Sequence, residues 1–232
     1  MSGLPDDFVF RPDEFSGRAR LFPLPNLVMF PHVLQPLHVF EPRYRELLAD
    51  ALEGDRMMAM AVLKPGWEAD YEGRPAIHPV ACLCRVVTHQ ALEDGRSNLL
   101  LVGLRRLGVV RELPPERPFR EAEVLVLDDY YPAESGGSRP DLQRRLIDQF
   151  RHLMPNLQEL HQQLDEVLAN DVPLGMLTDI LSFTLKFDQA AKEQLLRETN
   201  VDRRAQRLLE AMQAQGALDQ TSARFPPDFS EN

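Results

Sequence analysis

The sequence predicts an α+β protein in which a β-rich region, residues 19–130, precedes an all-helical region, residues 142–216. Short apolar runs with strand-like composition fill the first region, whereas apolar residues recur at helical spacing in the second. A stretch rich in Pro, Gly and Ser, residues 131–141, lies between them and indicates a linker. We expect residues 1–18 to form an N-terminal arm and residues 217–232 to form a disordered tail.

Five prolines punctuate the apolar stretch FPLPNLVMFPHVLQPLHVFEPRYRELL, residues 22–48. Proline is tolerated at strand starts and sheet edges, because the missing N–H costs no ladder bond there. We therefore expect two short strands, Leu27–Phe30 and Leu37–Phe40, in a small and strongly bent sheet or barrel. Pro42 suits the first position of a helix, which needs no N–H, and the apolar spacing that follows predicts this helix up to Gly54.

Further strand-like runs follow this helix and complete the β-rich region. An Asp94-Gly95 turn dipeptide lies between two of them and indicates a hairpin. The long loop Lys64–Pro79 holds the only tryptophan, Trp67, together with Tyr71. The runs that predict strands are Met57–Leu63, Val80–Thr88, Asn98–Val102, Arg106–Arg111 and Arg120–Leu127.

Beyond the linker the apolar period changes to that of helices. Asn156 with Glu159 three residues later resembles a capping box, and Asp188 and Asn200 are two further candidate N-caps. Gly216 is expected to end the last helix. The apolar stripes begin at Leu142, Leu157, Leu174, Leu195 and Val201.

The composition excludes several classes of protein. The formal net charge is −10, and an acidic surface repels the phosphate backbone of nucleic acids. The one dense basic group is Arg105, Arg106 and Arg111, whose members we expect on different faces of a strand. No apolar run approaches the roughly 20 residues of a membrane span, and no signal peptide is visible at the start of the sequence. Cys82 and Cys84 rarely close a disulfide at this spacing, so we expect a reduced, cytoplasmic protein.

Two groups of residues could be taken for metal sites. His38 and Glu41 are three apart, but on a strand they point to opposite faces and do not converge. His78, Cys82 and Cys84 form the second group, and a fourth ligand is missing nearby. Buried free thiols are the commoner outcome, so we predict no metal and no cofactor.

Catalytic patterns are equally sparse. Ser182 and Lys186 are four apart on a predicted helix and could form a dyad, but Phe183 and Leu185 beside them are typical of a core. None of the three lysines follows a glycine, so the Gly-Lys-Ser/Thr of a nucleotide-binding loop is missing. The sequence therefore predicts no catalytic residues.

Three separated motifs, in order, make the chain similar to the Lon N-terminal domain, also called the Lon substrate-binding domain. The first is FPLPNLVMFPHVLQPLHVFEPRY, close to the opening signature of that family, with His32 where the family often has glycine. The second is DGRSNLLLVGLRRLGVV, with Gly103 and Arg106 at the positions of the "G-x-x-R" strand. The third covers the last helices, in which Leu177, Asp179, Gln194, Leu195, Leu196 and Asp202 hold family positions.

The resemblance implies a PUA-like β-barrel followed by a helical bundle. It also implies a non-catalytic module that recognises unfolded or tagged polypeptides, without the ATPase and Ser–Lys peptidase domains of full Lon proteases. The alternatives are RNA binding, since PUA-like barrels elsewhere bind RNA, and regulation of a separate protease. Trp67 and Tyr71 are the candidate contact residues, because loop aromatics are often hot spots; the competing interpretation is that they only cap the β core.

Overall fold

Six β-strands form one mixed sheet, and five of them close into a barrel in the order β5-β4-β3-β1-β6-β5. The computed structural model describes residues 9–154 and 172–219. The first and third strands pair in parallel and the other pairs are antiparallel, while β2 extends the sheet beside β5. The strands are β1 (Arg18–Leu24), β2 (Leu34–Val39), β3 (Met57–Val62), β4 (Val80–Ala91), β5 (Ser97–Glu112) and β6 (Arg120–Leu127).

One helix interrupts the strands and four described helices follow them. The expected α+β architecture, a PUA-like barrel with one early helix and then helices alone, is confirmed. The early helix starts at Pro42, and Asp188 and Asn200 accept hydrogen bonds from Ala191 N and Arg203 N as predicted. The helices are α1 (Pro42–Glu53), α2 (Arg139–Leu153), α3 (Leu174–Thr184), α4 (Gln189–Arg197) and α5 (Val201–Asp219).

The prediction of a strand at Leu27–Phe30 is wrong. These residues form an irregular segment after β1, although Val28, Met29 and Phe30 are buried. Pro25 and Pro31 remove two backbone donors, and His32 takes a positive φ of 65°, which turns the chain out of the sheet. This left-handed conformation is the one that glycine adopts most easily, which gives a physical reason for the glycine that the family often carries there.

Other predicted boundaries also shift. The two runs at 98–102 and 106–111 are parts of one long strand, β5. The expected linker holds a 3-10 helix at Ala133–Ser138, and α2 starts at Arg139 inside it. Gly216 does not end the last helix, which continues to Asp219. The predicted helix that begins at Leu157, with its Asn156–Glu159 cap, lies outside the described residues, as do residues 1–8 and 220–232.

Strand β3 is buried on both faces. Successive residues of β3 alternate between two apolar clusters, which explains why its sequence, MMAMAV, is apolar throughout. Met58, Met60 and Val62 join the cluster that also holds the helices, and Ala59 and Ala61 join the second. Each fully buried large apolar side chain contributes about 1.5–3 kcal/mol to stability.

Gly103 is the point where β5 approaches the irregular segment most closely. His32 N donates to Gly103 O at 2.8 Å, and Gly103 N donates to Val33 O at 2.9 Å. A Cβ added at position 103 would overlap the carbonyl oxygen of Phe30. The family motif therefore has a glycine here because backbone occupies the space of a side chain.

A buried network of two arginines and two aspartates joins the barrel to the helices. Arg106 on β5 forms a bidentate ion pair with Asp179 on α3, and its Nε donates to Leu196 O at 2.8 Å. Arg204 on α5 binds both carboxylate oxygens of Asp129, at 2.9 and 2.6 Å. Arg204 is fully buried, yet it was not identified from the sequence. Asp202, two residues earlier, was named instead as the family position in the last helix. Asp202 pairs with Arg139 at 2.8 Å and so links α5 to α2.

Candidate functional site

An open apolar groove lies where the end of β1, the end of β2, the start of α1 and the loop 64–79 meet. Its volume is about 450 Å³, within the range of roughly 300–1,000 Å³ that is typical of ligand clefts. Five aromatic side chains line it, and we call it the aromatic groove: Phe22, Phe40, Tyr44, Trp67 and Tyr71. The other residues that line it are Leu24, Pro25, Asn26, Leu27, Leu37, His38, Val39 and Glu41.

Trp67 and Tyr71 form one side of the aromatic groove. Trp67 begins a 3-10 helix, Trp67–Asp70, and Tyr71 follows it; the two rings meet edge to face with centroids 5.4 Å apart. Both side chains are half-buried and pack against the second apolar cluster. The two interpretations from the sequence are thus compatible, since the same rings cover the core and face the groove.

Polar contacts hold Tyr71 in place. Its hydroxyl donates to Glu41 Oε1 at 2.6 Å, and Glu41 Oε2 accepts from Arg43 Nε at 3.0 Å. The Arg43 guanidinium lies 4.8 Å from the ring centroids of both Tyr44 and Tyr71. Burial and the hydrogen bond to Glu41 raise the pKa of the Tyr71 phenol, so it remains a donor at neutral pH. The aromatic wall is therefore held in one orientation before any ligand arrives.

Phe22 and Tyr44 form the floor. Their rings stack at 4.0 Å with an interplanar angle of 17°, and both residues are buried. The Tyr44 hydroxyl donates to the Pro23 carbonyl at 2.9 Å, and burial raises the pKa of this phenol strongly. The proline-rich start of the sequence thus shapes the floor of the groove.

Phe40 also lines the groove, and the sequence did not single it out as a site residue. It is 58% exposed and directly follows Val39, the last residue of β2. His38 stacks on it at 6.0 Å between ring centroids. The available signal was the position of Phe40 next to Glu41 and Pro42, where the strand ends and the helix begins.

The candidate metal residues do not converge. His38 Nδ1 lies 2.8 Å from Asn98 Oδ1, whereas Glu41 binds Tyr71 and Arg43. Cys82 and Cys84 are buried free thiols in the apolar cluster, and His78 Nδ1 instead lies 3.4 Å from Glu193 Oε2. Within residues 9–154 and 172–219, the structure contains no group of three His, Cys, Asp or Glu side chains that could hold a metal.

The other candidates are also separated. Ser182 and Lys186 were expected on one helix, but α3 ends at Thr184, so Lys186 lies beyond it. Ser182 is fully buried. The three arginines of the basic group divide as predicted: Arg106 is buried in the network, while Arg105 lies over the Phe10 ring at 5.4 Å. Arg111 pairs with Glu123 on the surface.

Two of the other clefts formed by the described residues have a different character. One of about 550 Å³ lies between α1 and the turn of the β4–β5 hairpin, where Arg45, Glu46 and His89 line it. The other, about 260 Å³, lies between barrel and helices next to the Arg106 network. The aromatic groove differs from both because several aromatic rings converge on it.

The fold and site together define a class of protein, a PUA-like barrel with appended helices that presents an apolar groove on its barrel side. The chain belongs to the family of the ATP-dependent protease La (LON) substrate-binding domain, whose model matches residues 18–214. Among the residues that the structure describes, the helices are too short or too polar to cross a bilayer.

The relatives support this family over most of the chain. The Lon protease of Cytophaga hutchinsonii is 24% identical over 200 residues, which cover 86% of this chain and 24% of the relative. The Lon protease of Xanthomonas oryzae pv. oryzae is 25% identical over 207 residues, again 24% of its length. The chain thus spans about a quarter of the curated relatives it matches.

Solved structures show the same fold. The Lon N-terminal domain protein from Xanthomonas campestris aligns with a TM-score of 0.57 at 23% identity, covering 83% of this chain and 97% of that chain. The N-terminal domain of the Mycobacterium avium complex Lon protease aligns with a TM-score of 0.67 at 12% identity, covering 84% and 98%.

Proposed function

We propose that this chain is a non-catalytic polypeptide-binding module that takes exposed apolar segments of unfolded or tagged proteins into the aromatic groove. The observation that carries the proposal is the set of accessible aromatic rings, Phe40, Trp67 and Tyr71, around a cleft open to solvent. Aromatic side chains supply large contact areas at a small cost in conformational entropy, which is why they dominate binding hot spots.

The support around the rings is equally suited to binding. Tyr71 is held by Glu41 and Arg43, and the floor is a stacked pair on a closed barrel. A preorganised site loses less entropy when it binds a flexible chain. Membership of a family described as substrate-binding supports the same proposal.

The net charge of −10 supports polypeptides over nucleic acid as partners, because an acidic surface repels phosphates. We also propose a cytoplasmic location. The two unpaired cysteines support it, since reduced thiols are typical of that compartment.

The test is a binding titration with a fluorescein-labelled, reduced and carboxymethylated model protein, followed by anisotropy. The double variant Trp67→Ala/Tyr71→Ala should weaken binding by about 1–3 kcal/mol, or roughly 5- to 150-fold in Kd, if these rings are hot spots. Circular dichroism confirms that the variant remains folded.

Tyr130→Ala is the matched control, because Tyr130 is a 58% exposed aromatic that does not line the groove. It should bind like the wild type. If the double variant also binds like the wild type while folded, the loop is structural and polypeptides bind elsewhere, with the cleft between barrel and helices as the next candidate.

A further inference from the structure

Side chains of helix α4 contact both ends of the loop that carries Trp67 and Tyr71. Gln189 Nε2 donates to Leu63 O at one end of the loop, at 3.3 Å. Glu193, four residues later on the same helix face, places Oε2 3.4 Å from Nδ1 of His78 at the other end.

The two ends of the loop are also joined to each other. Leu63 and Ile77 form a β-bridge, Lys64 N donates to Ala76 O at 2.8 Å, and His78 N donates to Val62 O at 2.8 Å. The base of the loop is thus a short ladder against which α4 packs. α4 therefore contacts both ends of the loop that carries the aromatic wall.

Glu193 is an unusual residue for this position. It is 3% exposed, and in the part of the chain that the structure describes neither carboxylate oxygen accepts a hydrogen bond. A buried carboxylate without such partners is costly, whereas a protonated carboxyl can donate its O–H to the imidazole nitrogen that faces it. The geometry therefore favours one proton held between Glu193 and His78.

We propose that Glu193 and His78 form a pH-sensitive latch, which seats α4 against the base of the 64–79 loop and so regulates the order of the aromatic groove. This inference rests on the proposed function for its consequence, but the latch can be tested without any ligand. Protonated Glu193 closes the latch; loss of its proton leaves a charge that draws the side chain toward water and loosens the base of the loop.

The charged groups around the pair agree with this direction. Burial raises the pKa of Glu193 to about 7, an effect that Arg197 only partly opposes. Burial, Lys64 and Arg197 lower the pKa of His78, so the imidazole stays neutral and able to accept near neutral pH. Lys192, the remaining cation beside Glu193 on α4, donates instead to Phe183 O at 2.8 Å.

Trp67 is the only tryptophan in the chain, so its fluorescence reports on this loop directly. Acrylamide quenching of Trp67 is measured between pH 5.5 and 8.5 on the full chain. Quenching of the wild type should rise with pH around a midpoint of about 7. Glu193→Gln, which is neutral at every pH and keeps a donor toward His78, should show low quenching throughout.

Two variants separate the latch from other titrating groups. Glu210→Gln removes an exposed carboxylate from α5 and should keep the wild-type titration. His38→Gln removes an imidazole that lines the same groove as Trp67, and it should also keep the wild-type titration. Hydrogen exchange of amides 64–79, corrected for the intrinsic effect of pH, should follow the same curves.

A flat wild-type titration, or one that Glu193→Gln retains, would overturn the latch; the first result is what a simple change of imidazole tautomer would give. Neither result touches the proposed function, which depends on the loss of binding in Trp67→Ala/Tyr71→Ala. If the latch and the proposed function are both correct, the labelled polypeptide should bind more tightly to the wild type at pH 6 than at pH 8. Its binding to Glu193→Gln should be the same at the two pH values.

Discussion

Arg106 on β5 and Asp179 on α3 form a bidentate ion pair whose side chains are only 2% and 0% exposed. Arg106 Nη1 donates to Asp179 Oδ2 at 3.1 Å, and a second bond joins Nη2 to Oδ1. The pair spans 73 positions of sequence and connects the barrel to the helices. A buried ion pair with all of its hydrogen bonds made fixes the relative placement of barrel and helices, because breaking it leaves a buried charge without a partner.

Removing one partner of this pair should therefore be costly. Asp179→Ala leaves Arg106 buried with Asp129 as its remaining carboxylate partner, and we expect a loss of about 3–5 kcal/mol in the free energy of unfolding. Urea denaturation followed by circular dichroism measures it. Glu123→Ala, which breaks the exposed pair with Arg111, should change stability by less than about 1 kcal/mol. Equal losses in the two variants would mean that apolar packing alone holds the junction.

Gly103 offers a test of the contact between β5 and the irregular segment. Gly103→Ala should destabilise the protein by about 1–3 kcal/mol, because the new methyl group must displace the Phe30 carbonyl. The same denaturation experiment measures the effect. Gly137→Ala is the control, since a Cβ at that position meets no atom within 4 Å. A neutral Gly103→Ala would show that residues 30–33 can move away from β5 without cost.

The pH dependence of stability should carry a signature of Glu193. Its folded-state pKa is raised to about 7 from 4.5, so the folded state binds the proton more tightly than the unfolded state does. This contribution is fully present below pH 4.5 and is lost as the pH rises through 7, in total on the order of 3 kcal/mol. Glu193→Gln should match the wild type near pH 4.5 and exceed it in stability at pH 8, as measured by urea midpoints. A variant that is less stable at pH 8 would give Glu193 the opposite role.

Phe40 should matter for binding but not for stability. It is 58% exposed and lines the groove, so Phe40→Ser removes a contact surface without opening a core cavity. We expect binding of the labelled polypeptide to weaken by about 1–3 kcal/mol, the range of a hot spot. Leu125→Ser removes a 64% exposed side chain of β6 that does not line the groove, and it should bind like the wild type. Equal weakening by both would indicate non-specific apolar adhesion.

Local signals in the sequence predicted much of the fold. Pro42 begins α1, and Asp188 and Asn200 cap α4 and α5, because caps depend on residues within one helical turn. The strand predicted at Leu27–Phe30 does not form, although the segment is buried. Apolar composition shows that a segment is buried, but it does not show whether the backbone pairs in a ladder.

The candidate site was predicted only in part. Trp67 and Tyr71 stand out as loop aromatics, and the structure places both in one groove. Phe40 was missed because a large apolar residue at a strand end is expected to be buried, and its exposure depends on where β2 lies beside β5.

The sequence by itself determined that a β-rich part precedes the helices, where α1 starts and which residues cap α4 and α5, because each depends on neighbours along the chain. It did not predict β1, it divided β5 into two strands, and it placed a strand at Leu27–Phe30 where none forms. The tertiary structure alone decided which distant groups meet: Tyr71 with Glu41, Arg106 with Asp179 and His78 with Glu193. Burial also depends on the packed structure, and it is burial that turns Glu193 from an ordinary surface acid into a group with a pKa of about 7. Hydrogen bonding and desolvation act through space, so spacing along the sequence cannot reveal them.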